Sequence, residues 1–150
     1  QGRPWIVNCD LDLVAGFLEF LHPAPPVSAA GAGQWHEFEQ NELGGEAAGL
    51  LEKGHIYIPA TCKSRKCGLH FALHGCEMST EFLDDKFLKQ AGYVEQADQR
   101  NLIVVFPQVA KSRANPQGCW DWFGYTGKDY AQKSGKQVRF FSHFLDQLPD

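Results

Sequence analysis

The chain has 150 residues, of which 43% are hydrophobic and 21% are charged, a balance that predicts one globular domain or a part of one. Its 18 acidic and 14 basic residues lack the basic surplus that nucleic-acid binding requires. No apolar run is long enough to span a membrane, and no signal peptide is visible at the N-terminus. The chain starts at Gln1 rather than Met, which suggests a processed chain or a fragment of a longer one.

The first predicted element is an amphipathic helix over residues 10–21, for which Asn8 or Asp10 is available as the N-cap. Residues 22–34 contain three prolines among small residues and predict an exposed connection. We therefore divide the chain into a helical segment (1–21), a proline-rich connection (22–34) and the rest of a single domain (35–150). The apolar side chains of the helix recur at helical spacing, at Leu11, Val14, Ala15, Leu18 and Leu21.

Short elements are predicted next. WHEFE, residues 35–39, alternates apolar and polar side chains as a strand does. HIYIP, residues 55–59, has the β-branched and aromatic content of a strand, and Pro59 stops it. GGEAAGLLE, which lies between them, predicts a short helix.

The remaining elements alternate as in an α/β protein. After a strand at 68–73, Ser79 or Thr80 caps a predicted helix with an apolar face. The uninterrupted apolar run in NLIVVFP, residues 101–107, suits a strand buried on both faces of a parallel sheet. This order predicts a mostly parallel sheet with flanking helices. The apolar faces are Leu83, Phe87, Leu88 and Ala91 in the first helix, and Val138, Phe141, Leu145 and Leu148 in a last helix near 136–148.

Five cysteines in 150 residues suggest an oxidising compartment, and hence secretion. Cys62 and Cys67 frame a short loop, so a disulfide across a strand connection is expected there. Cys76 and Cys119 both follow strands that we expect to be adjacent, which predicts a second bridge. Cys9 should then be a free thiol.

A metal site competes for some of the same residues, because Cys62, Cys67, His70, His74 and Cys76 all have side chains that bind zinc. His70 and His74 lie four residues apart, roughly 13 Å along a strand. One zinc ion with bonds of about 2 Å cannot hold both without bending the strand. We therefore expect no metal.

The tripeptide His74-Gly75-Cys76 ends a predicted strand just before a capped helix. Backbone amides at such a turn can stabilise an anion, and the glycine lets the backbone turn sharply. A plain strand-to-helix turn explains the tripeptide better when it is taken alone.

CWDWF, residues 119–123, places Trp120 and Trp122 in a loop after a parallel-type strand, where ligand crevices form. Both tryptophans could instead fill the core, as tryptophans more often do. Asp121 between them is expected to cap the loop.

Together, LHFALHGCEMS, GYVEQAD, NLIVVFPQ and NPQGCWDWFGYTGKDYAQKSGKQV resemble the polyhydroxybutyrate (PHB) depolymerases and their esterase relatives, which are α/β-hydrolases. The resemblance is close from about Leu43 to Val138. It implies that the Cys76 backbone N–H, in the catalytic segment with His74 and Gly75, belongs to an oxyanion hole. It also implies that Trp120 and Trp122 line the substrate cleft, and that serine acyl transfer on an ester or polyester needs no metal or organic cofactor.

The family's nucleophile is missing, because no G-x-S-x-G surrounds any serine of the chain. VNCDLDLVAGFLEFLHPAPP resembles circularly permuted secreted depolymerases, whose serine, aspartate and histidine would lie upstream of Gln1. The first half of a linear esterase is the other explanation. We therefore expect a partial α/β-hydrolase fold without its nucleophile-elbow half, inactive alone, with one flank of the 101–107 strand exposed. The histidines that we assign to surface or core are His22, His36, His55 and His143.

Two other functions remain open. An acetyl or feruloyl carbohydrate esterase resembles the same motifs. A catalytically inactive, disulfide-stabilised module could use Trp120 and Trp122 to bind a polymer surface.

Overall fold

The computed structural model describes residues 10–23 and 31–148, which fold around a four-stranded sheet. The order across the sheet is β1-β2-β4-β3. β1 pairs with β2 and β2 with β4 in antiparallel fashion, whereas β3 and β4 are parallel. The strands are β1 (Gln34–Glu39), β2 (Lys53–Ile58), β3 (Gly68–Phe71) and β4 (Leu102–Phe106).

A mostly parallel sheet was the wrong expectation for these residues, because only the β3–β4 pairing is parallel. The short connection over residues 40–52 returns the chain beside β1 in the opposite direction. Only the longer connection from β3 to β4 contains crossing helices, as a parallel pairing requires. The strands themselves lie close to their predicted positions.

The helices depart further from the prediction. One helix was expected after Ser79, but Asp84 adopts φ 53° and separates two short helices. The segment GGEAAGLLE contains a 3₁₀ turn, Glu46–Ala48, in place of the predicted short helix. The helices are α1 (Leu13–Leu21), α2 (Thr80–Leu83), α3 (Lys86–Gln90), α4 (Tyr93–Arg100) and α5 (Lys136–Asp146).

Helix α1 begins at Leu13, later than predicted. Its N-cap is Asp12, whose Oδ1 accepts a hydrogen bond of 2.8 Å from the Ala15 N–H. Asp10 is not the cap, and Asn8 lies outside the described residues. Leu18 is fully buried, but Leu11 and Leu21 of the predicted apolar face are exposed, because Leu11 precedes the helix and Leu21 ends it.

Helices cover both faces of the sheet. Leu18 of α1, Phe87 of α3 and Ala97 of α4 pack on one face against Val104 and Phe106 of β4. On the other face, side chains of α5 contact rings of β1 and β3. The α5 residues buried in this layer are Gln137, Phe140 and Phe144, whereas Val138, Leu145 and Leu148 of the predicted face are exposed.

β4 lies inside the sheet, with β2 on one flank and β3 on the other. The expected exposed flank on this strand is therefore wrong. Among the described strands, the edges of the sheet belong to β1 and β3.

A buried pair of glutamines fastens the end of β1 to the end of β4. The Gln40 side-chain amide donates to the carbonyls of Leu51 (2.7 Å) and Gln108 (3.0 Å), and its Oε1 accepts from the Gln108 N–H (3.0 Å). The Gln108 side chain in turn accepts from the Thr80 N–H at 2.9 Å. The end of β4 and the start of α2 are thus held together by side-chain amides that the sequence did not single out.

We expect Gln40→Ala to lower the free energy of unfolding by about 3 kcal/mol, because it leaves buried backbone groups without partners. Urea denaturation measures this loss. Gln132→Ala is the matched control, since Gln132 is exposed, and it should cost under about 0.5 kcal/mol. Equal losses in the two variants would contradict the proposed importance of the buried amide network.

Candidate active site

The turn that follows β3 presents an unused backbone donor. Cys76 is exposed, and within the described part of the chain its N–H donates no hydrogen bond. The next residue, Glu77, has φ 58°, a conformation that residues other than glycine rarely adopt. A side chain at Gly75 would place its Cβ 2.8 Å from the Met78 sulfur, so Met78 would have to shift to accept it. The Cys76 amide is therefore available to an anion.

His74 supports this turn and has no ring nitrogen left for proton transfer. It is 2% exposed, and its Nε2 accepts a hydrogen bond of 3.1 Å from the Val109 N–H. The proton therefore lies on Nδ1, which donates to the Gly75 carbonyl at 2.8 Å. Burial lowers the pKa of His74, and the bond to Gly75 opposes this only in part. His74 thus links the turn to the segment after β4 as a neutral imidazole.

Both predicted disulfides are confirmed. Cys62 and Cys67 are bonded with a Cα–Cα distance of 5.7 Å, and Cys76 and Cys119 with a distance of 4.3 Å. The second bridge joins the turn directly to the tryptophan loop. The prediction of a free thiol at Cys9 lies outside the described residues.

The attachment of Cys119 is itself reinforced. The buried Asn115 side chain donates to the Cys119 carbonyl at 2.8 Å and accepts from its N–H at 2.9 Å. The Glu77 N–H donates to the Gln117 carbonyl at 2.7 Å, so a backbone hydrogen bond accompanies the disulfide. The turn and the loop therefore form one rigid unit.

The two tryptophans have different environments. The Trp120 ring packs between His74 and Phe141, with centroid distances of 5.8 Å and 5.7 Å, and its buried Nε1 has no hydrogen-bond partner. Trp122 is 71% exposed and packs on Phe123, itself 46% exposed. Trp120 thus lies half-buried beside the turn, whereas the indole of Trp122 is exposed to solvent.

Asp121 holds the loop in shape. One of its oxygens accepts from the Phe123, Gly124 and Tyr125 N–H groups, and the other from the N–H and hydroxyl of Thr126. Desolvation raises the pKa of this carboxyl, but the hydrogen bonds together outweigh it, so the net shift is downward. The expectation that Asp121 caps the loop agrees with these contacts.

Gln137, which connects this loop to the core, was missed in the sequence analysis. Its Oε1 accepts from the Asp121 N–H at 2.8 Å, and its Nε2 donates to the Ala48 carbonyl and to the Tyr125 hydroxyl. The amphipathic pattern of α5 suggested only which apolar residues face inward. The available signal in the sequence was a glutamine at an inward-facing position of α5, namely Gln137.

Within the described residues, no serine hydroxyl bonds to a histidine. Ser79 is fully buried and its Oγ has no partner, while His143 bonds to the Leu43 carbonyl. In the same residues, no three metal-binding side chains group together, and no helix has the length and apolar character of a membrane span. Ser28 lies outside the described ranges. The described site therefore contains a donor and an aromatic surface but no nucleophile.

We expect the Cys76–Cys119 bridge to stabilise the fold more than the Cys62–Cys67 bridge. The sequence separations are 43 and 5 residues, so loop-closure entropy gives about 4 and about 2 kcal/mol. Urea denaturation of the Cys76→Ala/Cys119→Ala and Cys62→Ala/Cys67→Ala variants measures both losses of stability. The two variants are matched because each removes two cysteines. A larger loss for the shorter loop would contradict this entropic argument.

With the fold and the site described, the chain can be compared with known proteins. No protein-family model matches it. Its fold is that of the PHB depolymerases: the crystal structure of the enzyme from Penicillium funiculosum aligns with a TM-score of 0.87 and 28% identity, over 97% of this chain and 50% of that one. A PHB depolymerase variant in complex with an R3HB trimer aligns with a TM-score of 0.88 and 29% identity, over 99% and 51% of the two chains.

Two curated relatives agree with the structures. The poly(3-hydroxybutyrate) depolymerase of Delftia acidovorans is 30% identical over 99% of this chain. The polyhydroxybutyrate depolymerase of Talaromyces funiculosus is 32% identical over 90% of it. The resemblance to PHB depolymerases found in the motifs is thereby confirmed. The chain spans 31% and 44% of the lengths of these relatives.

Proposed function

We propose that the chain is the oxyanion-hole and substrate-cleft half of a secreted serine esterase that hydrolyses PHB-type polyesters. The observation that carries the proposal is the disulfide between Cys76 and Cys119, which holds an exposed residue with an unused backbone N–H next to the loop of Trp120. A developing oxyanion needs a hydrogen-bond donor, and an apolar acyl chain needs an apolar wall beside it. The similarity to PHB depolymerases, one of them bound to an R3HB trimer, supports a polyester as substrate.

In the proposed mechanism, a serine outside residues 1–150 attacks the ester carbonyl after a histidine takes its proton. The carbonyl oxygen becomes an oxyanion and accepts a hydrogen bond from the Cys76 N–H. Collapse of the tetrahedral intermediate expels the alcohol, which takes the proton from the histidine, and leaves an acyl-enzyme. Water then hydrolyses the acyl-enzyme to release the acid and regenerate the serine. His74 positions the donor and transfers no proton, since both of its ring nitrogens are engaged.

The sheet edge supports the proposal that another segment completes the domain. β3 is paired with β4 alone, and its Phe71 contacts Phe141 and Phe144 of α5. α5 also exposes Val138 and Leu145, and Leu148 is exposed just after the helix ends. We propose that the triad-bearing segment, upstream in a permuted parent, covers this edge, and that residues 1–150 are one part of a single domain.

Secretion is part of the same proposal. Two disulfides fit an oxidising compartment, where such bonds persist. Reducing agent should accordingly lower the stability of the native protein.

The exposed loop favours a second candidate, a non-catalytic polymer-binding module, because Trp122 and Phe123 alone could adsorb to an apolar surface. An acetyl or feruloyl carbohydrate esterase is the third. Assays of the full-length protein on PHB, on soluble hydroxybutyrate oligomers and on acetylated or feruloylated polysaccharide separate the three. Polyester hydrolysis supports the proposal, polysaccharide ester hydrolysis supports the carbohydrate esterase, and binding without hydrolysis supports the module.

We expect Trp122→Ala to reduce PHB hydrolysis about tenfold in the full-length protein while the unfolding midpoint stays unchanged, because its indole is exposed and touches few core groups. Trp120→Ala should instead cost about 3 kcal/mol of stability, since it removes a ring packed on His74 and Phe141. Rates on suspended polymer and thermal unfolding measure the two effects. Lys128→Ala, an exposed change in the same loop, is the control. A stability loss at Trp122 would contradict its assignment to the cleft.

A further inference from the structure

A small pocket lies away from the turn and the tryptophan loop, between α5 and the segment that follows β1. Its volume is about 240 Å³, enough for a ligand of a few heavy atoms. Its apolar lining comes from Leu43, Ala47 and the fully buried Phe140. None of these residues contributes to the candidate active site.

Three basic side chains line the same pocket. Lys136, Arg139 and His143 are spaced at i, i+3 and i+7 along α5, which places them on one face of the helix. The chain as a whole has a net charge of −4, so this group of basic side chains differs in sign from the overall charge. The first turn of α5 adds its free amides, which favour an anion near Lys136.

In residues 10–23 and 31–148, neither Lys136 nor Arg139 forms a close ion pair. The ion pairs there are Lys53–Glu37, Lys89–Asp85 and Lys111–Glu81, and none includes Lys136 or Arg139. Asp129 is near enough for both cations to contribute to the lowering of its pKa, although its bond to Ser134 is the larger cause. Because the Arg139 guanidinium forms no close ion pair among the described residues, its planar pair of donors can bind a ligand.

The pocket wall is shaped by His143 and Gly44. The His143 Nδ1–H donates to the Leu43 carbonyl at 3.2 Å, which leaves Nε2 without a partner in the described structure. Gly44 has φ 85°, and a Cβ there would point toward His143 Nδ1 at 4.0 Å. The positive φ of Gly44 permits the turn, and a Cβ there would make only ordinary contact with the imidazole.

We propose that this pocket binds a small carboxylate with a short apolar tail. The carboxylate would lie between Arg139 and Lys136, and the tail would contact Phe140, Ala47 and Leu43. An inorganic anion would leave the apolar lining unused, and a neutral ester would leave the cations unpaired. The natural ligand that we assign to the pocket is a hydroxyalkanoate product of polyester hydrolysis. This assignment rests on the proposed function, whereas the chemical class of the ligand does not.

The test titrates the protein with butyrate, methyl butyrate or sulfate and follows amide chemical shifts. Butyrate should shift resonances of residues 43–47 and 136–143, and Arg139→Gln and Lys136→Gln should each weaken its Kd about fivefold. Lys133→Gln, an exposed change outside the pocket, should leave the Kd unchanged. Thermal unfolding confirms that each variant is folded.

The proposal is overturned if butyrate does not bind, if methyl butyrate or sulfate binds as tightly, or if Lys133→Gln weakens binding as much as Arg139→Gln does. Because none of the three probes has to be hydrolysed, failure of the esterase proposal would not affect these results. Loss of butyrate binding with intact esterase activity would likewise leave the proposed function standing.

Discussion

Residues 1–150 alone should not hydrolyse p-nitrophenyl butyrate, and addition of the segment that carries the serine, acid and histidine should restore turnover. An oxyanion hole without its triad retains only about 10³ to 10⁴ of rate enhancement over water in serine proteases. The described part of this chain offers one candidate donor, whereas the second donor of such a hole normally follows the nucleophile. Initial rates with and without the added segment measure the difference.

The control for this experiment is a serine-directed phosphonate. It should abolish the restored activity and label the added segment, and a Ser→Ala change in that segment should have the same effect. Hydrolysis by residues 1–150 alone that the phosphonate inhibits would contradict the hypothesis. A nucleophile would then have to exist among serines that, in the described structure, have no histidine partner.

The strands and the shorter disulfide were predictable from the sequence because local chemistry determines them. A run such as Leu102–Phe106 has the composition of a buried strand in any context. Cys62 and Cys67 are too close along the chain to need a particular tertiary fold for pairing. The expected bridge between Cys76 and Cys119 depended on neighbouring strands, and the β3–β4 pairing provides them.

The order and direction of the strands could not be predicted in the same way. Nothing in the composition of β2 indicates that it pairs with β4, which follows it by more than 40 residues. That pairing covers the flank of β4 that we had expected to be open, and it leaves β3 at the edge. Long-range pairing of this kind is decided by the packing of the whole sheet rather than by propensity.

The site was predictable as two segments but not as an arrangement. The motifs indicated His74-Gly75-Cys76 and the tryptophan loop, and in the structure a disulfide joins them. They gave no indication that Trp120 is half-buried and Trp122 exposed. This difference depends on aromatic rings of α5, such as Phe141, which packs on Trp120. The apolar pattern did not predict these contacts, because the face that α5 buries is rotated from the predicted face.

In the full-length protein, replacing Cys76 with proline in a background that lacks the disulfide should lower kcat by about 10² to 10³. Proline has no N–H, and the loss of one oxyanion donor has an effect of this size in other hydrolases. Comparison of Cys76→Pro/Cys119→Ala with Cys76→Ala/Cys119→Ala isolates the amide, because both variants lack the disulfide and only the first lacks the donor. Rates on a soluble hydroxybutyrate oligomer measure the difference, with KM expected to change little.

The same two variants also separate catalysis from folding. Proline restricts Gly75 as well, so thermal unfolding of both variants must show whether the turn is preserved. Asp121→Ala serves as a further control, since it removes acceptors from the tryptophan loop without altering the Cys76 amide. It should raise KM for polymer more than it lowers kcat on the soluble oligomer. Equal kcat values for the proline and alanine variants, with both folded, would remove Cys76 from the oxyanion hole and leave its turn with a structural role alone.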